Sequence, residues 1–253
     1  MAGLVGAKAL VTGGSSGLGA EICRQLAEAG AVVGIGYRQG ADRAEALAGE
    51  IGGFAVQIDQ STPEGAEAGV ARALEVLGGL DVLVNNAGMA SGGHAVPRGD
   101  LAALTPAIWN EMLAVNLSGP FFVTRAAEAA LRGSKFGRVV NIGSTIGEGP
   151  WGADAPYAPS KGAVAALTRF LAAALAPDVT VNCVAPGLMQ GTAMSGPAPQ
   201  AYIDAWAARA VTGRTTEIAD VAGHVVAFCP RVQRHWASAG GRWGHSLWVK
   251  AVA

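Results

Sequence analysis

The alternation of short apolar runs with longer amphipathic stretches constrains this chain more than any single motif does. Runs of strand character lie at Lys8–Thr12, Val32–Tyr37, Phe54–Ile58, Asp81–Asn85, Arg138–Ile142 and Val179–Val184, and stretches with helical spacing of apolar residues fill the intervals. These strands are apolar throughout rather than at every second position, so both faces of their sheet must be covered. Strand-helix-strand repetition of this kind predicts an α/β fold, a doubly wound parallel sheet with helices on both faces. At 253 residues the chain is long enough to bury a sizeable core, and no linker or charge block divides it. A single domain over residues 1–253 is expected.

Where the first strand passes into the first helix the sequence reads Thr12-Gly13-Gly14-Ser15-Ser16-Gly17-Leu18-Gly19. In a chain with 37 glycines such a turn alone says little; the strand before it and the helix after it give it meaning. Gly13 permits the tight turn, Gly17 lets backbone approach a pyrophosphate, and Gly19 lets helix pack on strand. The helix N-terminus then offers free amide hydrogens and a partial positive charge to phosphates. This predicts a Rossmann-type fold with its ligand at the carboxyl ends of the strands. Other polar motifs also end strands: Asp59 the third, Asn85-Asn86-Ala87-Gly88 the fourth, Ser144 the fifth and Pro186-Gly187 the sixth.

A formal net charge of −1 removes the case for a nucleic-acid or membrane-surface partner, because both favour a basic face. Cys23, Cys183 and Cys229 lack metal-ligand spacing and sit among apolar neighbours, as small buried hydrophobes of a reducing compartment would. His94, His224, His235 and His245 form no cluster with cysteine or carboxylate, so no metal site is expected. The N-terminus carries no basic-then-apolar leader, and charge or glycine interrupts each long apolar stretch. A cytoplasmic protein is expected.

Between Lys8 and Ala227 the motifs Thr12-Gly-x-x-x-Gly-x-Gly19, Asp59, Asn85-Asn-Ala-Gly88, Asn116, Ser144, Tyr157-x-x-x-Lys161 and Pro186-Gly187 occur in this order. In them the chain resembles the short-chain dehydrogenase/reductase family, in particular 3-oxoacyl-carrier-protein reductases and glucose, sugar or polyol dehydrogenases. The resemblance implies hydride transfer between a nicotinamide and a ketone or secondary alcohol, with Tyr157 as general acid/base. It also implies that Lys161 bonds the nicotinamide ribose, that Ser144 holds the substrate oxygen, and that Asn116 bends its helix to seat a water linking Lys161 to solvent. A free tyrosine has a pKa of about 10, too high for a base at neutral pH. Lys161 follows Tyr157 by one helical turn, on the same face, where its ammonium and a charged nicotinamide ring are expected to lower that pKa.

The end of the second strand, Gly36-Tyr37-Arg38-Gln39, has no acid of the sort that repels a 2′-phosphate, and the Arg38 guanidinium is a fork suited to phosphate. NADP(H) is therefore expected over NAD(H), with an NAD-dependent alcohol or sugar dehydrogenase as the alternative. The resemblance extends the cofactor-binding set to Gly13, Ser15, Ser16, Gly17, Leu18 and Gly19 on the phosphates and Tyr37 with Arg38 on the adenosine ribose. It adds Asp59 and Gln60 near the adenine amino group, Asn86, Ala87 and Gly88 along the adenosine, Pro186 and Gly187, Thr192 on the nicotinamide amide, and Tyr157 with Lys161.

Residues 1–150 would form the cofactor half, residues 105–253 the catalytic and substrate half, and residues 188–212 a lid. In the loop with Pro150 and Asp154, Trp151 is placed near the pocket mouth, with His94 at the rim. Met189, Met194 and Trp206 suggest an apolar pocket, with core packing of a lid helix as the competing reading. The alanine-rich helix starting near Ala155 resembles one that pairs with its copy, which implies a homotetramer, or a dimer. Gly244–Val249 reads as a last strand, but Lys250-Ala251-Val252 departs from the family's Asp-Gly-Gly ending, and a diverged or altered-frame tail over residues 230–253 is expected to weaken assembly. A cofactor-binding regulator without turnover and a non-redox enzyme such as a dehalogenase are the other classes; intact Ser144, Tyr157, Lys161 and glycine loop favour the oxidoreductase.

Overall fold

The computed structural model describes residues 3–90, 100–148, 156–192 and 199–230, together with the backbone of 248–250. Its first half runs β1 (Lys8–Val11), α1 (Gly17–Glu28), β2 (Val32–Tyr37), α2 (Ala41–Ile51), β3 (Phe54–Gln57) and α3 (Pro63–Leu77). The chain continues through β4 (Val82–Asn85), α4 (Pro106–Leu113), a π-helical turn (Ala114–Ser118), α5 (Gly119–Gly133) and β5 (Gly137–Ile142). A 3-10 turn (Thr145–Glu148), α6 (Tyr157–Leu175), β6 (Val179–Ala185), α7 (Gln200–Ala207), α8 (Ile218–Ala227) and β7 (Trp248–Lys250) follow.

The sheet has the order β3-β2-β1-β4-β5-β6-β7, with each neighbouring pair parallel. From β1 the chain winds outward to β3 and then returns to add β4 on the other side of β1. That reversal opens a crevice at the carboxyl ends of β1 and β4, where open α/β sheets take their ligands. The expected strands are all present, with ends displaced by no more than one residue. Of the expected last strand, Trp248 and Val249 lie in β7, and residues 244–247 lie outside the described residues.

Alternate strand residues feed two cores, as the period of two requires. Ala9, Val11, Val33, Ile35, Val82 and Val84 pack with Leu18, Ile22 and Leu26 of α1 and with Val221 and Val225 of α8. Leu10, Val56, Leu83, Val139 and Val181 face the other way, onto Val70 of α3, Val123, Ala127 and Leu131 of α5, and Leu171 of α6. Two helices start on the same device: Thr62 Oγ1 accepts from Gly65 N at 3.1 Å and Thr105 Oγ1 from Ile108 N at 3.3 Å, each followed by proline. Such caps contribute about 1 kcal/mol apiece.

A buried polar chain fixes α6 against the sheet. Asn85 Nδ2 donates to Asn141 Oδ1 at 2.8 Å and to Thr124 Oγ1 at 3.0 Å, and Asn141 Nδ2 donates to Thr168 Oγ1 at 3.0 Å. These side chains exclude alternative registers of β4, β5, α5 and α6, because any slip would leave buried amides unpaired. Since α6 begins with Tyr157, the network also sets where that phenol sits.

Candidate active site

The glycine loop is built by close approach. Gly13 has φ 62°, and a Cβ there would come within 2.8 Å of Ala87 Cα; one on Gly19 would overlap the Gly13 carbonyl oxygen. The end of β4 is stitched to this loop. Asn86 Nδ2 donates to the carbonyl oxygens of Thr12 and Gly13, each at 3.0 Å, while Thr12 Oγ1 accepts from the amides of Asn86 at 3.1 Å and Ala87 at 3.0 Å. Ser16 precedes α1 in extended backbone, and its hydroxyl makes no cap bond. Ser16 thus supplies no side-chain acceptor to the first amides of α1, at the positive end of a helix. A cradle that tolerates no Cβ and is walled by amide donors fits a dinucleotide pyrophosphate.

The loop lines a cleft of about 910 Å3 that runs on to the carboxyl ends of β4, β5 and β6. Gly13, Ser15, Ser16, Gly17, Leu18, Gly19, Tyr37, Arg38, Asp59, Gln60, Asn86, Ala87, Gly88, Pro186, Gly187 and Thr192 line it together with Ser144, Tyr157 and Lys161. Of the residues singled out from sequence for catalysis, Asn116 stands behind the wall.

Ser144 follows β5, and its hydroxyl hydrogen-bonds the Tyr157 phenol. Burial pushes that phenol up to about 12, the Ser144 bond opposes the rise, and the nearby Tyr202 adds to it. The rise stands against the lowering expected from sequence; burial is its largest cause, and the expected lowering also counted on a charged nicotinamide ring beside the phenol. Lys161 Nζ lies 5.9 Å from the Tyr157 ring centroid and donates to the Ile142 carbonyl oxygen at 2.9 Å. Burial brings Lys161 down to about 8. At pH 7 Tyr157 holds its proton and Lys161 its charge, which suits a proton donor backed by a cation.

Asn116 occupies the π-helical turn between α4 and α5, an irregularity in the helical run at this residue. Its amide grips Met89 in both directions, Oδ1 accepting from Met89 N at 2.8 Å and Nδ2 donating to Met89 O at 2.9 Å, and Nδ2 also donates to Ser160 Oγ at 3.1 Å. A Cβ on Gly88 would lie 3.2 Å from Asn116 Oδ1 and 3.4 Å from Lys161 Nζ, so these two polar groups meet around the same glycine.

At the far end of the cleft, Arg38 is joined by Arg43, from the first turn of α2, which sequence reasoning missed. Its signal was weak: position three of a surface helix is ordinarily a solvated charge. Asp59 is held below the usual carboxylate range, first by Ser61, whose Oγ donates to Asp59 Oδ1 at 2.6 Å, with a smaller pull from Arg38. Gln60 is buried and serves the backbone, Nε2 donating to Val115 O at 2.8 Å and Ala87 O at 3.1 Å. Thr192 lies over the glycine loop, where a Cβ on Gly17 would be 3.6 Å from Thr192 Cβ. Met189 and Trp206 both line the cleft, joined by Tyr202, which was not singled out. His94, Pro150, Trp151, Asp154, Ala155, Met194, His235 and His245 lie outside the described residues. Among the described residues no group of His, Cys, Asp and Glu could hold a metal ion, and no helix is long and apolar enough to cross a membrane.

The family model for short-chain dehydrogenases matches residues 7–202. The chain belongs to the short-chain dehydrogenase family. Like other short-chain dehydrogenases it is an NAD(P)-dependent oxidoreductase acting on C=O or CH–OH groups. It is 42% identical over 183 residues to the granaticin polyketide synthase putative ketoacyl reductase 2 of Streptomyces violaceoruber, a match covering 72% of each chain. To the acetoacetyl-CoA reductase of Rhizobium meliloti it is 36% identical over 197 residues, 78% of this chain and 79% of that one. A solved short-chain dehydrogenase from Burkholderia cenocepacia in complex with NADP superposes with a TM-score of 0.80 at 36% identity, covering 90% of this chain and 91% of the other.

Proposed function

We propose that this short-chain dehydrogenase is an NADP(H)-dependent reductase of ketones, running the secondary-alcohol oxidation in reverse, with Tyr157 as proton donor. The observation that carries this reading is the meeting of Ser144, Tyr157 and Lys161 in the cleft that the glycine loop also lines. Bound NADPH would supply the hydride for the carbonyl carbon. Ser144 holds the carbonyl oxygen, and Tyr157 gives that oxygen its phenolic proton, so hydride and proton together make the alcohol. The Lys161 ammonium, fixed on Ile142 O, steadies the phenolate that remains until it is reprotonated. Asn116 holds the Met89 segment of the wall and helps to relay that proton from solvent.

Preference for NADP(H) rests on Arg38 and Arg43, two guanidinium groups lining the adenosine end with no acid at the close of β2. The solved relative with NADP and the relatives named as ketoacyl and acetoacetyl-CoA reductases support the same reading. Residues 1–150 would cradle the cofactor, residues 105–253 the chemistry, and residues 188–212 the lid. The outer face of α6 presents Ala166, Ala173 and Phe170, the last 59% exposed, which supports pairing with a second copy in a cytoplasmic homotetramer or dimer.

The test is Tyr157→Phe, which keeps the ring and removes the proton. NADPH-dependent ketone reduction should fall by about 10²–10⁴-fold with NADPH affinity unchanged. Retained turnover would remove Tyr157 from this role.

A further inference from the structure

Gln60 lies just beyond β3, away from the reacting atoms, yet its side chain is buried and its amide nitrogen makes two bonds to backbone. One of those bonds meets a need that the π-helical turn creates. Gly119 N bonds Ala114 O across the turn, and Pro120 has no N–H, so neither amide that a helix would offer Val115 O is free to take it. Gln60 Nε2 supplies the donor instead, 2.8 Å from Val115 O. Gly119 makes room for it: a Cβ there would lie 2.7 Å from Gln60 Cγ and 2.8 Å from Nε2. Among the described residues Gln60 Oε1 has no partner, so the burial of this amide is repaid on its donor side.

From the turn a continuous line of hydrogen bonds reaches α6. Asn116, next to Val115, donates through Nδ2 to Ser160 Oγ at 3.1 Å, and Ser160 Oγ donates to Tyr157 O at 2.7 Å. Ser160 is fully buried, so this line is closed to water. Without the Gln60 donor, Val115 O would be stranded in the interior, and the turn would have to shift to find another partner.

We propose that Gln60 is a positioning residue for the reaction: by holding the Val115 carbonyl it fixes the π-helical turn, and with it Asn116, Ser160 and the start of α6 at Tyr157. This rests on the reading that Tyr157 donates the proton. It gives the Gln60 side chain a duty in proton transfer, where the family resemblance placed it near the adenine.

The experiment measures kcat and KM with NADPH for whichever of acetoacetyl-CoA, butanone and cyclohexanone the wild type reduces fastest. The proteins are the wild type, Gln60→Leu, Asn116→Ala and the double variant, and the NADPH Kd and backbone hydrogen exchange across 114–120 are measured on each. Gln60→Leu keeps the bulk and removes the donor, so kcat should fall by roughly 10–100-fold, as a small misplacement of reacting groups implies, with KM and the NADPH Kd nearly unchanged. Exchange at Gly119 should quicken. In the Asn116→Ala background the same substitution should cost little more, because both act along one line. Gly119→Ala, favourable to a helix in itself, should reproduce the kcat loss by crowding the amide from the other side. Additive losses in the double variant, or an unchanged kcat in Gln60→Leu, would overturn the proposal. A loss confined to the NADPH Kd would overturn it too and return Gln60 to the adenine. If the wild type reduces none of the three ketones, the reductase reading is what fails, and Gln60 is then judged by exchange alone: an unchanged rate at Gly119 in Gln60→Leu overturns its role.

Discussion

The two ends of the cleft are built in opposite ways. At the adenosine and phosphate end, backbone touches backbone: Asn86 and Thr12 join β4 to the glycine loop through four hydrogen bonds, and there is no room for a Cβ at Gly13 or Gly19. At the substrate end, α7 leans over the site with no buried residue. The first end is determined by sterics that a substitution cannot evade. The second is determined by surface side chains, which can change without disturbing the sheet. A cofactor common to many reactions and a substrate peculiar to one would call for this division.

The largest effect that would sharpen this contrast is at Gly13. Gly13→Val puts a branched side chain into Ala87 at a φ of 62°, costing roughly 1–3 kcal/mol in backbone strain alone. NADPH binding should be lost in a calorimetric titration; retained tight binding would show the loop to be pliant. Next is Leu10→Ala, in the core under β1, which should lower stability in urea unfolding by about 2–5 kcal/mol. Trp206→Ala on α7 should change stability by no more than about 0.5 kcal/mol in the same assay, and a loss as large as that of Leu10→Ala would erase the distinction between the ends.

Arg38→Ala should weaken NADPH binding by roughly 10–100-fold, the worth of a charge-assisted hydrogen bond, and leave NADH binding nearly untouched. Arg43→Ala should act in the same direction to a smaller extent. Equal losses for both cofactors would place these guanidinium groups away from the 2′-phosphate.

The smallest expected effect on activity is in the pH profile. Lys161, brought down to about 8 by burial, is charged below that pH and neutral above it, whereas Tyr157, pushed up to about 12, keeps its proton throughout. Ketone reduction should therefore be flat between pH 6 and about 7.5 and decline several-fold as pH rises through about 8. A rate that climbs from pH 8 to 10 would contradict a donor phenol backed by a cationic lysine.

The sequence made the sheet legible because each strand is a predominantly apolar run ended by a glycine or a polar motif, and the periods of strand and helix differ. The glycine loop and the spacing of Ser144, Tyr157 and Lys161 were legible because their chemistry depends on local separation. What stayed hidden depends on contacts between residues far apart in the chain. Asn86 gripping Thr12 and Gly13, Gln60 gripping Val115, and Asn141 holding Thr168 leave no periodic trace. The upward push on the Tyr157 phenol was hidden for a related reason: the spacing of Lys161 could be read from the sequence, but the depth of burial could not. Tyr202 escaped notice because aromatic residues at helical spacing usually belong to a core, and only the placement of α7 beside the cleft separates the two cases.

The most direct test of the account is a titration of the purified protein with NADPH and with NADH, followed by nicotinamide fluorescence, before and after addition of a ketone. Tight NADPH binding, much weaker NADH binding and ketone-dependent loss of the NADPH signal are the predicted result. Binding of neither cofactor, or a bound NADPH that no ketone oxidises, would contradict it.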